Sequence, residues 1–294
     1  HHHYTITNRE YLESYYDLQL IYDTVHGDTA NTRDQFNWAR IRNAAGAYYS
    51  NKKSQFYLDA LVEHGYWNFQ NLGDNVDTTE ISFVTNARIK IKDFVLMNEA
   101  RVNFTGAFNE WSEKAWFKYS KGKLKASGGF TLKNQAPEPF QRSYFANNFC
   151  YSLATIEKQT FMRVEGGLNW NVKDSVFNFT VSGDFSTLSS PYIFDSLTWT
   201  NDLIDSYSFG SLKIKGDLAL GKFGIQPTVV YSFDSDNYLP TFQVYSRLFF
   251  KGRLFEAKKL EFLIGVDASY TSKFNNRLYV PAMDAFNMSQ TLES

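Results

Sequence analysis

Apolar and polar residues alternate with a period of two along most of the chain, and the pattern is clearest between residues 260 and 270. One set of alternate positions there is apolar: Leu260, Phe262, Ile264, Val266, Ala268 and Tyr270. The positions between them include Glu261, Gly265, Asp267 and Ser269. Successive side chains of a β-strand point to opposite faces, so this segment is predicted to be a strand with one apolar and one polar face.

The same alternation predicts about 14 strands, within a range of 12 to 16, and no helix. The predicted strands are 34–50, 54–70, 80–92, 94–108, 113–121, 123–134, 142–155, 159–172, 175–187, 206–220, 222–233, 241–256 and 260–273, with one more at the C-terminal end. Residues 4–30 are compatible with either a first strand or an arm. So long a series of amphipathic strands is typical of a transmembrane antiparallel β-barrel.

Short and long connections alternate between the predicted strands. Tight turns are expected at 51–53, 92–93, 121–122, 173–174 and 221–222, and longer connections at 71–79, 134–140 and 188–204. Outer-membrane barrels have short periplasmic turns and longer outer loops, which is the asymmetry seen here. A short connection expected at 157–159 departs from it.

Composition agrees with a membrane barrel. Phe, Tyr and Trp make up 18% of the 294 residues, and aromatic girdles at the two membrane interfaces would explain the excess. The mean hydropathy is negative, which is compatible with strands that have one polar face but not with a helical membrane protein. We interpret residues 1–3 as the remnant of an affinity tag and 4–294 as a single β-barrel domain.

Charge and cysteine content add little. Basic and acidic residues are interspersed and the net charge is -1, so nothing favours a nucleic-acid partner. The single cysteine, Cys150, excludes an internal disulfide.

Charged residues of the strands fall on the polar parity, where a barrel would place its lumen. The predicted pore-lining residues are Arg88, Lys90, Glu99, Arg101, Lys123, Lys125, Arg163, Glu165, Lys213, Lys215, Asp217, Arg247, Glu261 and Asp267. An Arg or Lys facing lipid at the midplane would cost about 2–4 kcal/mol, which is a physical reason for the segregation. The set favours a hydrated pore with a modest preference for anions, although a plugged lumen or the solvated face of a large soluble sheet is compatible with the same pattern.

The sequence gives no reason to expect an enzyme, a metal site or a cofactor. Walker-type loops, G-x-S-x-G elbows and H-E-x-x-H motifs do not occur in it. Outside the tag the only histidines are His26 and His64, and their spacing supports no catalytic site. The run Asp234–Asn237 fits a polar hairpin turn better than a calcium site.

Segments in the C-terminal third resemble the putative porin family of Bacteroidota outer membranes. The resemblance is carried by FGSLKIKGDLALGKFGIQPTVVYS at 209–232, RLFFKGRLF at 247–255 and IGVDASYTSKFNNRLYVPAMDAF at 264–286, with weaker similarity at 44–61, 141–149 and 190–195. It implies an outer-membrane β-barrel in contact with outer-membrane lipid. Members of the family extend further at both ends, so the sequence is expected to be either part of a longer barrel or a shorter relative.

Three hypotheses follow for function. The first is a porin that gives passive diffusion to small polar solutes. The second is a plugged or non-conducting barrel that acts as an anchor or as a subunit of a larger envelope complex. The third is a soluble β protein. By analogy with porins, a homo-oligomer such as a trimer is compatible with the sequence.

Overall fold

The computed structural model is all-β. It describes residues 2–14, 31–53, 55–70, 75–105, 109–137, 143–145, 150–152, 157–173, 176–191, 193–195, 198–200, 206–234, 239–254, 260–274, 276–280 and 285–292. Among these residues none forms a helix long and apolar enough to cross a membrane.

Thirteen strands of the described residues form one antiparallel sheet, in which they follow one another in the order of the chain. In sheet order they are β1 (His2–Ser14), β2 (Asn31–Asn51), β3 (Phe56–Gln70), β4 (Asn75–Ile91), β5 (Phe94–Asn103), β6 (Trp111–Lys121), β7 (Leu124–Gln135), β10 (Gln159–Lys173), β11 (Phe177–Ser189), β14 (Ser206–Leu220), β15 (Phe223–Asp234), β16 (Phe242–Leu254) and β17 (Leu260–Thr271). The predicted all-β class and strand number are therefore confirmed. Within the described strands, β1 and β17 each pair with one neighbour.

Six short strands form three separate hairpins. They are β8 (Ser143–Phe145) with β9 (Cys150–Ser152), β12 (Ile193–Asp195) with β13 (Thr198–Thr200), and β18 (Asn276–Val280) with β19 (Ala285–Leu292). The predicted long strand at 142–155 is wrong, because β7 pairs directly with β10 and the described residues of this stretch form the β8–β9 hairpin. The short connection expected at 157–159 is therefore the end of one long connection.

The lengths of the connections alternate only in part. Two residues join β4 to β5, β6 to β7 and β14 to β15, whereas seven or more join β5 to β6, β7 to β10, β11 to β14 and β15 to β16. The connection expected at 71–79 is shorter than predicted, because β4 begins at Asn75, and the one between β16 and β17 has five residues. Gly122 and Gly221 have φ of 55° and 63° at the first position of their two-residue turns. Glycine populates this left-handed region without strain, and it is the residue expected there in tight hairpins.

The register divides the side chains of the sheet into two faces. We call the face that contains Arg163, Lys213 and Arg247 the polar face, because these residues lie on a common side through the successive strand pairs. The opposite, apolar face contains bulky side chains that are exposed, such as Leu168 and Trp170, of which 54% and 52% are accessible. A water-soluble sheet would cover such a face, whereas lipid does so in a membrane barrel.

Aromatic pairs line the apolar face beside the short turns. Their ring centroids are 4.6 to 6.2 Å apart, and the pairs are Tyr49–Phe56, Phe94–Tyr119 and Phe223–Phe250. On β15, Phe233 lies ten residues beyond Phe223 and stacks on Phe185. Ten residues cover about 33 Å along a strand, or about 25 Å of membrane at a tilt of about 40°, which is the height of the apolar band of outer-membrane barrels. These pairs have the spacing of two interfacial girdles.

The candidate lumen face

The strands place the predicted pore-lining residues on the polar face, with one exception. Each of them except Lys123 lies in a strand and shares this face through the register. Lys123 instead forms the tight turn with Gly122 between β6 and β7. Its predicted place in the strand is therefore wrong by one residue, and that these residues line a pore stays a prediction.

Charged pairs between neighbouring strands occupy the polar face near the β17 edge. Arg247 donates two hydrogen bonds to the Asp267 carboxylate, at 2.8 and 2.9 Å, and Arg253 Nη2 lies 2.7 Å from Glu261 Oε1. All four side chains are about half exposed. These pairs join β16 to β17 in an environment open to water, so each contributes little to stability.

A second group of charges lies on β2 to β5 and is much more buried. Arg40 Nη2 is 2.6 Å from Glu80 Oε1, and Arg101 Nη2 is 2.9 Å from Glu63 Oε2 and 3.5 Å from Glu80 Oε1. We call Arg40, Glu63, Glu80 and Arg101 the charged cluster. Two of its ion pairs reach across an intervening strand, since Arg40 on β2 pairs with Glu80 on β4 and Glu63 on β3 pairs with Arg101 on β5.

Neighbouring groups hold the charged cluster in place. The Arg40 guanidinium lies 3.7 Å from the centroid of the Trp67 ring, a cation–π arrangement. Arg101 also donates to Ser82 Oγ at 2.9 Å. Gly65 leaves room for Glu80, because a Cβ at this position would come within 2.7 Å of Glu80 Cγ and displace the side chain.

Sequence reasoning found only one member of the charged cluster. Arg101 is among the predicted pore-lining residues, but Arg40, Glu63 and Glu80 are not. The alternation in β2 to β4 indicates that these three residues share the polar face. That they come together depends on the strand register, which joins residues up to 40 positions apart.

A trough about 530 Å³ in volume crosses the middle of the polar face from β6 to β11. Its floor includes the small residues Ser127, Gly167 and Ser182, which are aligned across neighbouring strands, and the adjacent glycines Gly128, Gly166 and Gly183. Its walls carry larger polar or aromatic side chains: Lys114, Trp116 and Lys118 on β6, and Arg163, Glu165 and Asp184 on β10 and β11. The sequence prediction included Arg163 and Glu165 but missed the β6 wall, for which the alternation K-A-W-F-K at 114–118 was the available signal.

Polar side chains extend beyond the apolar band at the long-connection end of β3 and β4. Asp77 accepts hydrogen bonds from Asn68 at 2.6 Å and from Tyr66 at 2.9 Å. These bonds, that from Asn68 first, hold the pKa of the Asp77 carboxyl below its usual value, and the contact raises the pKa of Tyr66. Asp77 is fourteen residues from the turn end of β4, so it lies outside the membrane-spanning segment.

Residues considered for other chemistry have ordinary roles where they are described. His64 lies on the apolar parity of β3 and is exposed. Asp234 accepts hydrogen bonds from the Leu239 backbone N–H at 2.7 Å and from the Tyr207 hydroxyl at 3.2 Å, which ties the end of β15 to Leu239 and to β14. The described residues contain no group of three or more His, Cys, Asp and Glu side chains that could hold a metal ion. His26 and residues 235–237 lie outside the described residues.

Solved structures of similar fold include siderophore receptors and an iron transporter. The siderophore receptor PirA from Acinetobacter baumannii aligns with a TM-score of 0.63 and 11% identity over 87% of this chain and 45% of that one. The FrpB iron transporter from Neisseria meningitidis gives 0.57 and 12% over 84% and 44%, and PirA from Pseudomonas aeruginosa gives 0.58 and 12% over 83% and 50%. The chain thus spans about half the length of these structures. At such identities the likeness shows the fold alone.

Sequence comparison identifies the family. Residues 1–293 match the family described as "Putative porin", whereas a comparison with curated protein sequences finds no match. Family and fold together support an outer-membrane transport barrel and place the protein in the bacterial outer membrane. The chain belongs to the Putative porin family.

Proposed function

We propose that the protein gives small polar solutes passive passage across the outer membrane through a hydrated lumen of mixed charge. The observation that supports this most directly is the segregation of side chains. Charged residues such as Lys213 and Lys215 lie on one face of the sheet, and bulky apolar residues such as Leu212 and Ile214 lie on the other. A charged lysine on a strand has a low free-energy cost only where water solvates it, so the polar face is expected to border water.

The small residues on this face also favour an open path. A lumen packed by side chains needs large residues on the inner face, but the trough has a floor of Gly and Ser. At about 13 to 14 strands, a closed barrel is wider than side chains alone fill. Residues Lys213, Lys215 and Asp217 would then contribute to a weak selectivity rather than to a binding site.

Conductance of the full-length protein in planar lipid bilayers tests the proposal. We expect stepwise, ohmic conductance, and a change of reversal potential toward cation preference in the variant Lys213→Glu/Lys215→Glu. The charge reversal serves as the internal control, because current through a contaminating porin would not respond to it. Protein that inserts, as shown by protease protection, but does not conduct would contradict passive diffusion. That outcome would favour a plugged barrel that serves as an anchor or as a subunit of an envelope complex.

A further inference from the structure

We infer that the trough between β6 and β11 binds a sugar that carries an acidic group. The inference rests on the proposed function, because it requires that solutes enter the lumen. It concerns a binding position on the polar face, whereas the proposed function concerns passage.

The floor of the trough is shaped by residues without large side chains. Ser127, Gly167 and Ser182 form one row across β7, β10 and β11, and Gly129 lies in the next row between Trp116 and Glu165. Gly129 allows Trp116 to lie close to the sheet, because a Cβ at Gly129 would come within 2.8 Å of Trp116 Cβ. The result is a recess about 530 Å³ in volume beside an indole ring.

The β6 wall combines an aromatic surface with positive charge. Lys114, Trp116 and Lys118 alternate along β6 and therefore share the polar face. The Lys114 ammonium group is 5.2 Å from the centroid of the Trp116 ring. Within the described part of the chain neither lysine forms an ion pair with a carboxylate, although Glu99 on β5 lies opposite Lys114 in the register. Both ammonium groups can therefore contact an anion, and Lys118 has no carboxylate opposite it on either neighbouring strand. An indole offers a flat apolar surface on which the C–H face of a sugar ring can pack.

The opposite wall presents hydrogen-bond acceptors. Arg163 Nη2 lies 3.2 Å from Glu165 Oε2 and 3.9 Å from Asp184 Oδ2, and Asp184 also accepts from Ser211 at 2.7 Å. Each carboxylate has about four lone-pair sites, so acceptor capacity is left for the hydroxyl groups of a ligand. A sugar donates several such bonds, whereas a simple carboxylate donates none.

The charges of the two walls decide which sugar fits best. Lys114 and Lys118 on one wall face Arg163, Glu165 and Asp184 on the other, so the basic groups of the trough exceed the acidic groups by one. The excess lies on the aromatic wall, since Arg163 is paired with both carboxylates. A ligand with a carboxylate or phosphate toward the lysines and hydroxyls toward the carboxylates matches this arrangement.

Ligand-detected NMR on the full-length protein folded in detergent micelles tests the inference with named probes. Glucuronate and glucose 6-phosphate should bind, glucose should bind at least tenfold more weakly, and acetate should show no saturable binding. Equal binding of glucose and glucuronate would contradict the role of the lysines, and saturable binding of acetate would contradict the role of the sugar ring.

The readout does not depend on conductance, so the two proposals can fail separately. Binding by a non-conducting barrel would contradict passive diffusion and support the trough. Conductance without binding would contradict the trough alone.

Two glycines on β10 provide a matched pair of variants. Gly167 faces the trough, and a Cβ there would meet its nearest neighbour at an ordinary 3.4 Å. Gly166 also borders the trough through its backbone, but a Cβ there would point to the apolar face and meet its nearest neighbour at 3.7 Å. Gly167→Leu should fill the trough and weaken glucuronate binding at least tenfold, whereas Gly166→Leu should change it less than twofold. Unchanged binding in Gly167→Leu would overturn the assignment.

A second variant is informative even if Gly167→Leu does not fold. Lys118→Gln removes one charge from an exposed side chain and should weaken glucuronate binding severalfold while glucose binding stays the same. Folding of each variant is checked by the change in electrophoretic mobility on heating. A folded Lys118→Gln protein that binds glucuronate as the wild type does would contradict the inference.

Discussion

The charged cluster on β2 to β5 and the trough on β6 to β11 lie on the same face of the same sheet but use charge differently. In the cluster, Glu80 is 10% exposed and lies within 3.5 Å of guanidinium groups from two other strands. In the trough, Lys114 and Lys118 lie above a floor of Gly and Ser without a carboxylate partner in the described part of the chain. Charges that neutralise each other fill space and tie strands together, whereas unpaired charges over small residues leave room for a solute. Charge on a lumen face is therefore not by itself evidence of a selective pore.

Removing the central carboxylate of the charged cluster gives the largest expected effect. Glu80→Gln keeps the shape of the side chain but leaves Arg40 and Arg101 with one carboxylate, Glu63, between them. Breaking a buried ion pair in this way typically costs about 3 kcal/mol or more. The free energy of unfolding, measured by urea titration in lipid vesicles, should fall by about that amount.

Glu261→Gln is the matched control for this variant. Glu261 is paired with Arg253 and Lys251, but its side chain is 47% exposed, so water replaces the lost contacts and only a small change is expected. Equal losses in the two variants would show that the charged cluster is no more buried in the membrane-bound protein than the edge pairs, and the contrast with the trough would disappear.

The charged cluster and the trough both lie on the polar face, which is expected to border water. Two adjacent valines on β15 test this expectation. Val229 pairs with Ile214 on the apolar face, and Val230 pairs with Lys213 on the polar face. Val229→Arg should lower the free energy of unfolding by about 2–4 kcal/mol, because the guanidinium would face lipid near the middle of the band. Val230→Arg introduces the same side chain one residue away and should have a much smaller effect. A larger loss for Val230→Arg would reverse the assignment of the two faces.

Sequence periodicity predicted the faces of the strands well, because parity depends only on neighbouring residues. Arg163, Lys213 and Arg247 lie on the polar face as expected. Periodicity failed at 142–155, where aromatic residues of the β8–β9 hairpin imitate a spanning strand, since the pattern does not tell which partner a strand will pair with.

For the same reason, contacts between distant strands could not be predicted from the sequence. The Arg40–Glu80 pair and the row Ser127–Gly167–Ser182 both depend on the registers of several strand pairs. Small residues also give a weak sequence signal, because a glycine in a strand can indicate a bulge, a close contact or a recess. The trough could be recognised only when its walls and floor were placed together.

The smallest expected effect concerns the two lysines of the trough, and it measures how the unpaired charges act on passing ions. In water, a unit charge 4–8 Å from an ion changes its energy by about 0.5–1 kcal/mol, so Lys114→Gln/Lys118→Gln should reduce the preference for chloride over potassium about two- to fivefold. The measurement is the reversal potential across a bilayer with a salt gradient, and Lys92→Gln, in the tight turn after β4, controls for the loss of a charge elsewhere. At about 1 M salt the Debye length falls to about 3 Å, and the difference between variant and wild type should vanish. A difference that persists in high salt would mean that the substitutions change the shape of the trough rather than its field, because screening removes an electrostatic effect but not a steric one.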